Sequence, residues 1–285
     1  MSVSSLHSSS STELSWRKRL AAVSAAAAVP EAKLRWWLAW HCGCALTMLP
    51  LDDIPSAAAA EAFAAAVRRL ASGEPVQYVC GAAPFLDFEV KVSPDVLIPR
   101  PETEQLVHLA LRHAIRDGHR VVDVGTGSGC IAIAIQRARP KCVVLGTDIS
   151  AAALTLAREN AECLGAPVTF RQSDLLAGMP PASQDVIVAN LPYIGEAERG
   201  DLPEEVVDFE PHTALFAGED GTTLVVRLLT EAREVLANEG KIVLETGESQ
   251  GHVYTSAAER LGWRIENHQD LAGRPRFWIL ERAHV

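Results

Sequence analysis

Apolar positions recur at helical spacing from Thr12 to about Gly73, through an alanine-rich stretch with no glycine before Gly43. Pro30-Glu31-Ala32 marks a helix start, with proline in the first turn. Trp36, Trp37 and Trp40 follow at helical spacings, and Ser56 precedes AAAAEAFAAAVRRLASG, a helix closed by Gly73. A small helical domain is predicted, with the tryptophans in its core. At Glu74-Pro75 the period changes: Gln77-Tyr78-Val79-Cys80 and FLDFEVKV, Phe85 to Val92, alternate, which predicts a two-stranded hairpin. A helix then runs from Pro101 to about Arg116, with Glu102 and Glu104 at its positive end. From Arg120 onward RVVDVG, CIAIAIQRA, CVVLGTDIS, AAALTLARENAECLG, VTFRQSD and DVIVAN alternate strand and helix. KIVLETG and a final pair, WRIENHQD and RFWILER, supply later strands. The rhythm predicts an α/β fold with an open, mostly parallel sheet and helices on both faces.

These shifts divide the chain into a serine-rich, disordered tail over 1–12, a helical domain over 13–74, a β-hairpin linker over 75–96 and an α/β domain over 97–285. An apolar fraction of 48% suffices for a core, and no apolar run reaches the length of a transmembrane span. A net charge of −10 argues against a protein held on nucleic acid chiefly by phosphate neutralisation. The six cysteines form no paired CxxC set, so reduced thiols in the cytoplasm and no metal are expected. Arg17-Lys18-Arg19 before LAAVSAAAAVP lies too late, and its apolar run is too alanine-rich, for an export signal.

VVDV runs into Gly125-Thr126-Gly127-Ser128-Gly129. Glycines after a first strand permit a tight turn and close approach to a ligand at a helix N-terminus. The spacing is GxGxG, with Cys130 where a dinucleotide fingerprint would place its last glycine, which disfavours an NAD-dependent dehydrogenase. Asp148 ends the second strand where a carboxylate can accept both hydroxyls of an unphosphorylated ribose, as in nicotinamide dinucleotides or S-adenosylmethionine. Ser150 can cap the next helix, which leaves Asp148 for that role. Asp174 and Leu175 follow the third strand, where they could meet an adenine amino group and a purine face.

DVIVAN ends in Asn190-Leu191-Pro192-Tyr193. A strand next to the first in such a sheet ends beside the ligand crevice. An amide or aromatic amine is a poor nucleophile because its lone pair is delocalised. Two acceptors, the Asn190 side-chain oxygen and the Leu191 carbonyl, can each take one N–H and turn the lone pair toward a methyl donor. Pro192 fixes the backbone and Tyr193 offers a flat face to a planar acceptor.

With EPVQYVCG, FLDFEVKV, LIPRPETE, DVGTGSGCIA, TDIS and NLPY in order, the chain resembles the HemK/PrmC family of peptide chain release factor glutamine N5-methyltransferases. The resemblance implies a Rossmann-like class I methyltransferase domain with a seven-stranded sheet, and a helical domain that recognises the substrate. S-adenosylmethionine is the implied cofactor, and the glutamine of the Gly-Gly-Gln loop of class 1 release factors the implied substrate. By position, Gly125, Thr126, Gly127, Ser128, Gly129, Asp148, Leu175 and Asn190 would bind the cofactor, and Asn190, Leu191, Pro192 and Tyr193 would receive the glutamine. Leu191 stands where the family usually has proline; the group needed there is a main-chain carbonyl, which leucine retains. Glu210 and His212 look like acid–base residues, yet amide methylation needs no such pair, and the segment reads as structural support.

Alternatives are an adenine-N6 or cytosine-N4 nucleic-acid methyltransferase, methylation of glutamine in another protein, or a non-catalytic binder. The acidic charge counts against the first, and the intact Gly125, Asp148 and Asn190 against the last. A monomer without stable nucleic-acid or membrane partners is expected.

Overall fold

The structure is a computed structural model that describes residues 14–283. The serine-rich tail expected over 1–12 lies outside the described residues. The described residues form two compact units, and the smaller is assembled from two separate tracts, residues 14–82 and 204–209.

The smaller unit contains helices α1 (Trp16–Ala27), α2 (Glu31–Cys42), α3 (Ala57–Ala71) and α4 (Val76–Cys80). Leu20, Val23, Leu34, Leu38, Val67 and Leu70 fill its core around Trp16, Trp37 and Phe63. The Phe63 ring lies 5.3 Å from Trp16 and 5.4 Å from Trp37, close enough for aromatic pairing beyond simple burial. Ser56 caps α3 by accepting from the Ala59 N–H, and Gly43 ends α2 in the left-handed region that glycine adopts freely. Of the three clustered tryptophans only Trp37 is fully in the core; Trp36 is half-buried and Trp40 is exposed.

Gln77–Cys80, expected as a strand, belongs instead to helix α4. Pro75 starts it and Gly81, at φ 74°, stops it. Arg69 bridges Glu74 and the carbonyls of Tyr78 and Val79, fastening this turn to the end of α3. The second tract supplies α8 (Glu204–Phe209), where Glu205 pairs with Lys33 and Phe209 lies against Gly73.

The larger unit begins at Ala83, inside the hairpin of β1 (Ala82–Phe85) and β2 (Phe88–Lys91), which is followed by α5 (Pro101–His113). Its strands β3 (Arg120–Val124), β4 (Val143–Asp148), β5 (Thr169–Gln172), β6 (Gln184–Asn190), β7 (Leu236–Glu245), β8 (Trp263–Gln269) and β9 (Pro275–Arg282) form one sheet in the order β5-β4-β3-β6-β7-β9-β8. The first five pair in parallel, and β9 runs antiparallel to both its neighbours. Connecting helices are α6 (Cys130–Ala138), α7 (Ala151–Cys163), α9 (Thr223–Val235) and α10 (Gly251–Arg260).

Val121, Val122, Val186, Ile187, Val188 and Val243 are all fully buried, as expected for strands covered on both faces. On one face Val122, Ile187 and Ile242 pack with Leu228 and Leu229 of α9 and Tyr254 of α10. Strand order reverses between β3 and β6, which opens a crevice at their carboxyl ends, where open α/β sheets bind ligands.

Candidate active site

A cavity of about 320 Å³ occupies that crevice. Gly125, Thr126, Gly127, Ser128, Asp148, Leu175, Asn190, Leu191 and Pro192 all border it, together with Asp174. Gly129 and Tyr193 are not among its lining residues. A Cβ at Gly129 would meet Ala157 at 3.1 Å and Phe170 at 3.3 Å, so this glycine lets the start of α6 pack closely.

The glycine turn is held from several sides. Gly125 and Thr126 donate their N–H groups to the Thr147 carbonyl, both at 2.8 Å. Beneath the turn Asp123 accepts from the Thr126 hydroxyl at 2.6 Å and the Ala132 N–H at 3.1 Å, and burial pushes its carboxyl up to about 7. Asn160 of α7 clamps the Ser128 carbonyl and both polar groups of the Lys91 backbone, joining the turn to the hairpin. Gly125 and Gly127 have φ values of 73° and 53°, which explains the residue choice.

Asp148 accepts the Gly127 N–H through one oxygen and the Ser150 N–H through the other, both at 2.9 Å. Ser150 caps α7 by accepting from the Ala153 N–H. Two of the roughly four acceptor positions of a carboxylate are thus used. The plane of the group is fixed, and the rest remain for a vicinal diol. Leu175 takes φ 48°, rare for a branched residue, and lies buried on the cavity wall beside Asp174. Asp174 pairs with Arg227 at 3.0 Å. The charged lining residues among those described are Asp95, Asp148 and Asp174, with no lysine, arginine or histidine. Such a wall suits a cation such as a sulfonium and disfavours a pyrophosphate.

Asn190 ends β6 in register with Glu245, which ends β7. Its Nδ2 donates to the Thr103 hydroxyl oxygen at 3.0 Å. Leu191 packs into the core beside Val124 and Leu175, and a Cβ on Gly125 would meet its Cδ2 at 2.9 Å. The Tyr193 carbonyl accepts from Gln250 Nε2 at 2.5 Å, while the Tyr193 hydroxyl lies 3.5 Å from Arg276, with burial pushing the phenol up.

Arg100, Thr103 and Glu104 of LIPRPETE each have a separate partner. Glu210, buried to 3% exposure, pairs with Arg100 and accepts from the Ile98 N–H at 3.2 Å. Glu104 holds the hairpin turn by accepting from the Leu86 N–H at 2.7 Å, and Thr103 holds Asn190. Leu97, Pro99 and Thr103 also line the cavity. Residue chemistry alone did not single out Thr103, Asn160 or Gln250, because their partners lie far away in sequence.

Residues 115–271 match the methyltransferase domain family, and residues 15–81 match the PrmC N-terminal domain. A release factor glutamine methyltransferase of Rhodopirellula baltica is 39% identical over 242 residues, 81% of this chain and 82% of the relative. The chain belongs to the release factor glutamine methyltransferase family. A second member, from Moorella thermoacetica, is 38% identical over 89% of this chain and 92% of its own. A solved methyltransferase from Pyrococcus furiosus shares the fold with a TM-score of 0.54 at 20% identity, covering 69% of this chain and 89% of its own. Ribosomal protein L11 methylase from Lactobacillus delbrueckii subsp. bulgaricus aligns with a TM-score of 0.51 at 25% identity, covering 68% and 86%. The protein is an S-adenosylmethionine-dependent methyltransferase with the Rossmann-like class I fold. No helix of the described residues is long and apolar enough to cross a membrane.

Proposed function

We propose that this enzyme methylates the N5 amide nitrogen of the glutamine in the Gly-Gly-Gln loop of class 1 peptide chain release factors, working in the cytoplasm as a monomer. The observation that carries the reading is Asn190. Its amide sits on the cavity wall with Nδ2 committed to Thr103, which leaves Oδ1 to accept from a substrate NH₂ group. The relatives named as release factor glutamine methyltransferases support the same acceptor.

When bound, S-adenosylmethionine supplies an electrophilic methyl group on a sulfonium. Gly125, Thr126, Gly127 and Ser128 would border it, Asp148 would take its ribose hydroxyls and Leu175 its adenine face. Asn190 Oδ1 and the Leu191 carbonyl would each hold one amide hydrogen of the substrate. Orientation of this kind, with both partners fixed beforehand, lowers the barrier by about several kcal/mol. No general base is needed before transfer, because the amide proton becomes acidic once nitrogen is alkylated. Glu210, committed to Arg100 and the Ile98 N–H, serves as a strut for the cavity wall.

The test is mass spectrometry of a class 1 release factor incubated with the enzyme and isotopically labelled cofactor, with DNA and RNA as parallel substrates. Label on the loop glutamine, lost with Asn190→Ala, is expected. Label in nucleic acid with none on glutamine would sink the reading.

A further inference from the structure

We propose that Gln250 is a positioning residue for the transfer: its amide holds the Asn190-Leu191-Pro192-Tyr193 turn and the loop that carries Phe216 in one arrangement. The consequence for transfer rests on the acceptor chemistry above; the contacts of the amide are a property of the free protein.

The pairing of β6 with β7 ends at Asn190. The chain then runs on into a turn, of which Leu191 and Pro192 line the cavity. A second lining segment is supplied by Thr213, Ala214 and Phe216. Just past the turn the two segments run side by side. The Ile194 N–H donates to the Leu215 carbonyl at 3.1 Å, the Ala217 N–H to the Ile194 carbonyl at 3.0 Å, and the Glu196 N–H to the Gly218 carbonyl at 3.1 Å. So paired, they move together. Where the pair stands against the sheet sets the exit of the turn, and with it the direction of the Leu191 carbonyl.

Gln250 fastens the pair. Its backbone carbonyl starts α10 by accepting from the Val253 and Tyr254 N–H groups at 3.0 and 3.2 Å. Its Nε2 donates to the Tyr193 carbonyl at 2.5 Å and to the Asp220 carbonyl at 3.1 Å. Its Oε1 accepts from the Tyr254 hydroxyl at 2.8 Å, and Tyr254 is buried in the core against the sheet. The amide cannot reverse, because a half-turn would set Oε1 against two carbonyls that can only accept. One side chain thus ties the substrate turn, the Phe216 loop and α10 together.

The surrounding backbone leaves room for this amide. A Cβ on Gly221 would collide with the Tyr193 carbonyl and stand 2.6 Å from Gln250 Nε2, and one on Gly247 would stand 2.9 Å from Oε1. Gln250 is 6% exposed and is not a lining residue of the cavity, so it acts on the acceptor through the turn. A displacement of about 1 Å in acceptor-holding groups costs on the order of 100-fold in rate.

Two variants of the full-length enzyme separate positioning from packing. Gln250→Met keeps the bulk and loses the amide. Gln250→Glu keeps the shape and the acceptor for Tyr254, but as a carboxylate has no hydrogen for either carbonyl. With saturating release factor, each should lower kcat about 10- to 100-fold while cofactor Kd stays within about twofold. Hydrogen exchange of the cofactor-free protein forms the second arm. The amides of Ile194, Glu196 and Ala217 should exchange about tenfold faster in both variants, with Val122 and Val124 of β3 unchanged. A wild-type kcat for Gln250→Glu overturns the proposal, as does a loss of cofactor affinity equal to the loss of kcat, or faster exchange throughout β3. If wild type places no label on the release factor, the functional reading falls, and unchanged exchange at Ile194, Glu196 and Ala217 would still overturn the fastening. If the Gln250 variants fail to fold, Gly221→Ala attacks the same contact from the other side; it should reproduce the fall in kcat, and a wild-type kcat overturns the proposal.

Discussion

Leu191→Pro asks whether the second position of NLPY contributes anything beyond its carbonyl. Leu191 is 4% exposed and packs among Val124, Leu175 and Leu176, with its Cδ2 against the Gly125 backbone. Proline retains most of this bulk, and the loss is about one methylene, roughly 0.8 kcal/mol of burial. Restricting the unfolded chain returns about 0.4–1 kcal/mol where the native backbone suits proline. Asn190 ends a strand, so the residue before the new proline is already extended, as the ring requires. The net change should therefore be a loss of about 1 kcal/mol or less in urea denaturation, with kcat on a release factor within about threefold of wild type. Gly125→Ala provides a control on the contact. Alone it should suffer from both its φ of 73° and the collision with Leu191; in the Leu191→Pro background the collision is relieved, so the two changes should couple by about 1 kcal/mol. A stability loss above about 2.5 kcal/mol, or a tenfold fall in kcat, would refute the reasoning, because the Leu191 N–H or side chain would then carry a role that proline cannot fill.

Asp148→Ala removes the carboxylate that anchors Gly127 and Ser150; cofactor Kd by calorimetry should rise about 10- to 100-fold, and unchanged affinity would exclude the ribose role. Glu210→Gln should destabilise the fold by about 1–3 kcal/mol while leaving the shape of the pH–rate profile unchanged; an altered profile would restore an acid–base role. Asp123, pushed up to about 7, holds a proton in the folded chain that the unfolded chain releases near its ordinary pKa of about 3.9. Its contribution to stability is therefore full below about pH 4 and lost as pH rises to about 7. Asp123→Asn should flatten that slope in denaturation measured across the window, and an unchanged slope would place the titration elsewhere.

The alternation of strand and helix after Arg120 was legible because each strand is a short β-branched run bounded by glycine, aspartate or asparagine. The cofactor turn was legible for a related reason: φ values of 73° and 53° can be read from glycines at fixed spacing. Gln77–Cys80 misled because Val76, Tyr78 and Cys80 are buried at alternate positions within a helix only five residues long, too short to display its own period. Pro75 before it and Gly81 after it were the signals that distinguished the two. The role of Thr103 was hidden for a different cause. Its partner Asn190 lies 87 residues away, and only the docking of α5 at the end of β6 brings the two together. Gln250 was equally silent, since its hold on the Tyr193 carbonyl spans 57 residues.

The two-tract make-up of the helical unit bears on how such a protein can be taken apart. Severing the chain after residue 82 would remove the four leading helices but leave Glu204–Phe209 behind, stripped of Lys33 and of the surface at Gly73. The front piece is thus no interchangeable cassette. A chimera between relatives has to graft residues 1–82 and 204–209 from the same parent, and substitutions at Glu205 or Phe209 answer to the front of the chain although they are numbered within its catalytic half.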